Sequence, residues 1–179
     1  MVIIMIIFRK ATDNDTDAIT NIYMDVHTME EAGVTATGWK RGIYPVRDTV
    51  ISSLKRDDMF VLEDDEGVCA CGIINKIQVD VYEGAEWEND VSDDEITVLH
   101  TLAVSPKVWG RGYGKLFVKY YEEYATKTNS PYLRMDTNET NLRAREMYKK
   151  LGYKEIGTVP CVFNGIDGIN LVLLEKKVK

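Results

Sequence analysis

Leu102–Gly114, LAVSPKVWGRGYG, is the stretch that decides how this chain reads. An apolar strand closes at Val104 and a Ser105-Pro106 turn follows. Gly110, Gly112 and Gly114 then alternate directly before an amphipathic helix. Glycines at that point permit positive φ and leave no Cβ between main-chain N–H groups and a ligand. A helix N-terminus adds unpaired N–H groups and the positive end of its dipole, so the position suits an anion, a phosphate above all. One glycine would serve a tight strand-to-helix turn; three in alternation point to a ligand. No Gly-Lys-Ser/Thr follows, so this is not a P-loop, and G-x-G-x-G is not the dinucleotide spacing.

A second block lies further on, DTNETNLRAREMYKKLGY from Asp136 to Tyr153. It reads as a strand end, a turn and a helix carrying N-x-x-A-x-x-x-Y-x-x-x-G-Y. With this order of elements, residues 95–176 closely resemble the GNAT family of acetyl-CoA-dependent N-acetyltransferases. The resemblance implies an α/β (α+β) fold: one domain over residues 1–179, with a central mixed, mostly antiparallel sheet flanked by helices. It also implies two splayed central strands with the acyl carrier in the gap, a feature that periodicity cannot reveal.

The same resemblance assigns roles. Acetyl-CoA is the cosubstrate, and no metal is implied. Its pyrophosphate is expected on the backbone of Gly110, Arg111, Gly112, Tyr113, Gly114 and Lys115. Main-chain groups of Leu102, Ala103 and Val104 are expected to bind the pantetheine arm as an added strand. The side chains of Arg111 and Lys115 either add charge toward phosphates or are solvated. Trp109 stands where the family usually has Gln or Arg, which leaves either an indole contact with the cofactor or a packing role. Asn141 aligns with the asparagine that bonds pantetheine, and its residue type equally suits a helix N-cap. Tyr148, seven residues on, aligns with the tyrosine that protonates the leaving thiolate. A phenol near pKa 10 is a suitable acid for a thiolate near 8.5.

The base has two candidates. His100 stands two residues before Leu102, hence on the same face of a regular strand, and an imidazole near pKa 6.5 suits the task. The LHTLAV segment resembles that of serotonin N-acetyltransferase, where a histidine at this point is the base. Asp136 stands five residues before Asn141, as does the carboxylate base of ribosomal-protein N-terminal acetyltransferases. It could equally close a strand and order the Thr137–Asn138 turn.

Bulk properties fit a small enzyme. The chain has 179 residues, 45% hydrophobic and 28% charged, enough for one domain with a substantial core. Its net charge of −7 disfavours nucleic acid and only weakly favours a cationic amine. The N-terminal VIIMIIF run is too short for a bilayer and carries no signal-peptide pattern; it reads as a buried first strand. Three cysteines, Cys69, Cys71 and Cys161, lack zinc-ligand spacing and read as small hydrophobes of a reducing cytoplasm. No membrane contact is expected, and a homodimer is one allowed arrangement.

Outside the two blocks, the pattern predicts a strand over 2–9 and a helix capped by Asp13 with Ile19, Ile22, Tyr23 and Val26 inward. Pro45 suits the first position of a second helix. An antiparallel pair is expected over 59–62 and 68–81, then an acidic stretch from Glu83 to Glu95 that reads as a solvated hairpin. The central strand is expected over 96–104, then a helix with Leu116, Phe117, Tyr120 and Tyr124 inward. Strand 131–135 precedes a helix over 141–151 with Ala144, Met147, Tyr148 and Leu151 inward and Gly152 as its stop. Strands 153–159 and 168–175 close the domain. The resemblance implies an acceptor, an amine on a small molecule or a peptide (a protein N-terminus included), near Trp39, Tyr44, Pro45 and the Cys161–Gly168 loop. A non-catalytic acyl-CoA-binding module is the alternative to an enzyme.

Overall fold

Among the described residues, seven strands form one sheet, ordered β1-β2-β3-β4-β5-β7-β6. The computed structural model describes residues 5–179. The strands are β1 (Ile7–Lys10), β2 (Met59–Asp64), β3 (Gly67–Asn75), β4 (Ile96–Val104), β5 (Tyr132–Asn138), β6 (Lys154–Phe163) and β7 (Ile166–Lys177). The helices are α1 (Thr16–Glu31), α2 (Arg47–Arg56), α3 (Tyr113–Lys127) and α4 (Leu142–Lys150). Only β4 and β5 run parallel; every other pairing is antiparallel. This is the expected single α/β domain.

Helices α3 and α4 cover one face, where Phe117, Tyr121 and Leu133 are fully buried. Phe117 sits so close that a Cβ on Gly72 of β3 would stand 2.9 Å from its ring, which is why this strand carries a glycine. The opposite face is shared. Helices α1 and α2 pack Ile19, Tyr23 and Val50 over β2–β4, and the 76–95 segment packs Tyr82 and Trp87 over β4, β5 and β7. No helix among the described residues is long and apolar enough to cross a membrane.

Several expectations need correction. The first strand is an edge strand with Ile7 exposed, and the part of it expected over 2–4 lies outside the described residues. Asp13 does not cap α1. A short 3-10 turn (Asp13–Asp15) intervenes, and the Asp15 carboxylate turns back to the Thr12 N–H and a two-pronged pair with Arg9, at 2.8 and 2.9 Å. That guanidinium holds Asp15 down to about 2. Helix α2 starts at Arg47 rather than Pro45, which follows a cis bond and accepts a hydrogen bond from His27 Nε2 on its carbonyl. Strand β3 stops at Asn75, so 76–95 is a long irregular segment with two 3-10 turns, not a hairpin. In α3 the buried stripe is Tyr113, Phe117, Val118, Tyr121 and Ala125, while Leu116, Tyr120 and Tyr124 flank it. Strands β6 and β7 run on to a two-residue turn, Asn164–Gly165, with both residues at positive φ. That is the twist a tight hairpin requires, and the Asn-Gly pair signals it in the sequence.

Candidate active site

The site begins where β4 and β5 part. Their parallel pairing runs only from Ile96↔Tyr132 to Leu99↔Met135, although β4 continues to Val104 and β5 to Asn138. The central strands therefore fork after Leu99, as the resemblance implied. At the fork β4 bulges. Cys71 pairs with Ala103 and Ile73 with His100, so Gly72 faces two residues, Thr101 and Leu102. Thr101 takes φ +52, a left-handed conformation that costs a β-branched residue about 1–2 kcal/mol. Its hydroxyl is tied to the Tyr44 hydroxyl.

The bulge corrects the expectation for His100. An extra residue reverses the alternation, so His100 shares the face of Ile73 and Ala103 while Leu102 and Val104 point to the α3/α4 side. His100 Nε2 donates to Asn75 Oδ1 at 2.9 Å, and the Asn75 amide in turn donates to Asp58. Burial drives the imidazole down to about 4. His100 lines neither cavity of the fork.

The glycine loop forms one end of a cleft of about 420 Å3. Gly110 and Gly112 have φ of +84 and +86 with open space where a Cβ would stand. In α3 the Leu116 N–H is the first to close a helical bond, to the Gly112 carbonyl. The N–H groups of Gly112, Tyr113, Gly114 and Lys115 stay available to a ligand. Arg111 does not belong with them: its N–H is spent on the Val108 carbonyl at 3.2 Å and its side chain is exposed. Tyr113 contributes only main chain, because its hydroxyl is anchored on Asp64 at 2.7 Å. Basic Lys115, Arg143 and Lys150 line the cleft.

The unpaired flank of β4 forms the cleft wall. Ser105 N–H bonds the Cys69 carbonyl; by strand alternation Ala103 also directs its main chain to β3, leaving Leu102 and Val104 toward the gap. Trp109 lines the cleft. Its indole N–H donates to the Val104 carbonyl at 2.9 Å, and the Arg143 guanidinium lies 5.2 Å from its ring centroid.

Where cleft meets fork lies a chamber of about 90 Å3 that brings together Asp136, Asn141 and Tyr148. Asn141 caps α4, its Oδ1 accepting from the Ala144 N–H at 3.3 Å, which leaves its amide N–H groups free. Tyr148 is buried, and burial followed by the nearby Asp136 charge raises its pKa well above the usual phenol range. No hydrogen bond among the described residues engages its hydroxyl. Asp136 is raised to about 6 by burial, offset by one hydrogen bond from the Tyr82 hydroxyl at 2.7 Å. Trp39 lines the chamber as expected. Tyr44 stands behind it, edge-on to Trp39 and Phe163.

Comparison with known proteins decides the family. The model of the acetyltransferase (GNAT) family matches residues 17–153. The chain belongs to the GNAT family. A curated relative, an uncharacterized N-acetyltransferase of Methanocaldococcus jannaschii, is 28% identical over 92 residues, which are 51% of this chain and 41% of the relative. The chain thus matches less than half of that protein's length. Among solved structures, a GNAT-family acetyltransferase from Streptococcus agalactiae 2603 superposes with a TM-score of 0.80 at 24% identity, covering 97% of this chain and 96% of that one. The ribosomal-protein-S18-alanine N-acetyltransferase of Escherichia coli gives 0.67 at 15%, covering 98% and 95%.

GNAT enzymes take their acyl group from acetyl-CoA, and the residues present here fit it. Four free N–H groups at a helix start, with Lys115, Arg143 and Lys150 beside them, match a pyrophosphate-bearing ligand. The open β4 flank matches an extended amide-bearing arm. Sequence reasoning missed Thr101, Thr37 and Asn138 in this GNAT chamber, which Phe163 also lines. Phe163 had a signal, as part of the Cys161–Gly168 loop expected near the acceptor. Thr101 had none.

Proposed function

We propose that this chain transfers the acetyl group of acetyl-CoA to a primary amine, with Asp136 as the general base and Tyr148 as the donor to the departing sulfur. When bound, acetyl-CoA supplies an activated thioester carbonyl at the fork. The chain's own residues do the rest. The Gly112–Lys115 N–H groups and the flank of β4 fix the cosubstrate along the cleft, so that the acceptor enters the chamber from the Trp39 and Phe163 side. Acetylation requires the neutral amine, and a carboxylate near pKa 6 is ionised and ready to take its proton at neutral pH. Tyr148 keeps its proton at any working pH and offers it to the thiolate.

The observation that carries this reading is that Asp136 and Tyr148 line one small chamber at the end of the cosubstrate cleft. It favours Asp136 over His100, which is bonded away on the other side of the bulge. The amine's carrier, small molecule or protein N-terminus, is an open choice within the proposal.

Thiol release from acetyl-CoA, followed against polyamines, amino acids, aminoglycosides and short peptides, tests the function. The expected result is release stimulated by one acceptor class, with the acetylated amine recovered by mass spectrometry. Tight acetyl-CoA binding without stimulated release by any amine would favour the non-catalytic binding module.

A further inference from the structure

The 76–95 segment has work beyond covering the sheet. Its Tyr82 is 2% exposed and carries its hydroxyl across the β5 face to Asp136 Oδ2. A buried hydroxyl needs a partner, and a phenylalanine would pack as well without one. Among the described residues this is the Asp136 carboxylate's only hydrogen bond, which leaves Oδ1 free. Tyr82 is itself held in register with β5. Arg134, two residues before Asp136 on the same strand face, lies 4.1 Å from the centroid of the Trp87 ring. Trp87 packs edge-on against Tyr82 at 5.2 Å and donates its indole N–H to the Tyr82 carbonyl.

We propose that Tyr82 is a positioning residue that holds one oxygen of Asp136 and so presents the other to the acceptor amine. The inference rests on Asp136 being the base. Asp136 faces Tyr82 from the 76–95 segment, Tyr44 from the α1–α2 loop, Tyr148 from α4 and Cys161 from β6, while β7 presents Leu171 and Leu173. Of these, only Tyr82 donates a hydrogen bond to the carboxylate. Such a bond favours the ionised form, so its loss shifts the titration upward.

The test reads Asp136 directly in the intact protein, through its carboxyl carbon in 13C-aspartate-labelled samples, assigned as the signal missing from Asp136→Asn. Tyr82→Phe should move the titration midpoint up by about one pH unit. Replacing Tyr82 by 3-fluorotyrosine, which keeps ring and bond and strengthens the donor, should move it down; this arm decides if the phenylalanine variant fails to fold. With the amine of fastest thiol release, Tyr82→Phe should lower kcat/KM about tenfold at pH values below the wild-type midpoint and leave the acetyl-CoA dissociation constant unchanged. A midpoint unmoved in both variants, or kcat/KM unchanged in Tyr82→Phe, overturns the positioning role. Full turnover in Asp136→Asn instead overturns the base reading, and the positioning role falls with it.

Discussion

Replacing Asp136 by Asn should make the protein more stable at neutral pH while removing its activity. The carboxyl rises from an ordinary 3.8 to about 6 because the chamber withholds water from the charged form. At 1.36 kcal/mol per pH unit, keeping that charge in the fold at pH 8 costs about 3 kcal/mol. The sign follows from the raised folded value. Below about pH 4 both folded and unfolded chains hold the proton and Asp136 imposes no cost. Between about 4 and 6 the unfolded chain has released it and the folded chain has not, so wild-type stability falls as pH rises. Above 6 the full cost is present. Asn keeps the shape and still accepts from Tyr82, so the variant should gain about 2–3 kcal/mol at pH 8, or roughly 4–12 °C in Tm for a chain of this size. Thermal or urea unfolding of both proteins at pH 4, 6 and 8 measures it. An Asn variant no more stable than wild type at pH 8, or equally stabilised at pH 4, would refute the destabilised carboxylate.

Two further outcomes follow from the site. Tyr148→Phe keeps the packing against Tyr153 and removes the hydroxyl proposed to protonate the departing thiolate; kcat should drop about 10²-fold with acetyl-CoA affinity unchanged, read by steady-state thiol release and calorimetry. Gly112→Asp forces a side chain into φ +86 and sets a carboxylate among the free N–H groups, although nothing within 4 Å opposes its Cβ. Calorimetric acetyl-CoA binding should therefore be lost while circular dichroism keeps its wild-type form.

What was legible in the sequence was local. The loop glycines lie within the β4–α3 unit, and the capping position of Asn141 and the spacing to Tyr148 within the β5–α4 unit, where turn chemistry and helical period dictate placement. Bounds Ile96–Val104 came out as expected because the strand is apolar and ends at Ser-Pro. Two non-local events were not legible. The bulge at Thr101 uses no glycine or asparagine, so nothing marks the left-handed residue that turns His100 away from Leu102. Tyr82 reaches Asp136 across 54 residues of chain, from a segment, 76–95, whose acidic part over 83–95 suggested a solvated hairpin. Its two aromatics, Tyr82 and Trp87, are the part that packs. In α3 the inward stripe was misplaced because apolar residues border both sides of it. Tyr121, not named in the expected stripe, is fully buried with its hydroxyl on the Thr97 carbonyl.

The central claim, that a carboxylate at the fork accepts the amine's proton, is tested most directly by kcat/KM against pH for wild type, Asp136→Asn and His100→Gln. The acceptor's own pKa must be known and well separated from the range scanned. The base must be ionised, so wild-type kcat/KM should rise with pH through a midpoint near 6. His100→Gln should keep that rise, and Asp136→Asn should lose it together with most of its activity. A rise retained in Asp136→Asn and abolished in His100→Gln would contradict the account.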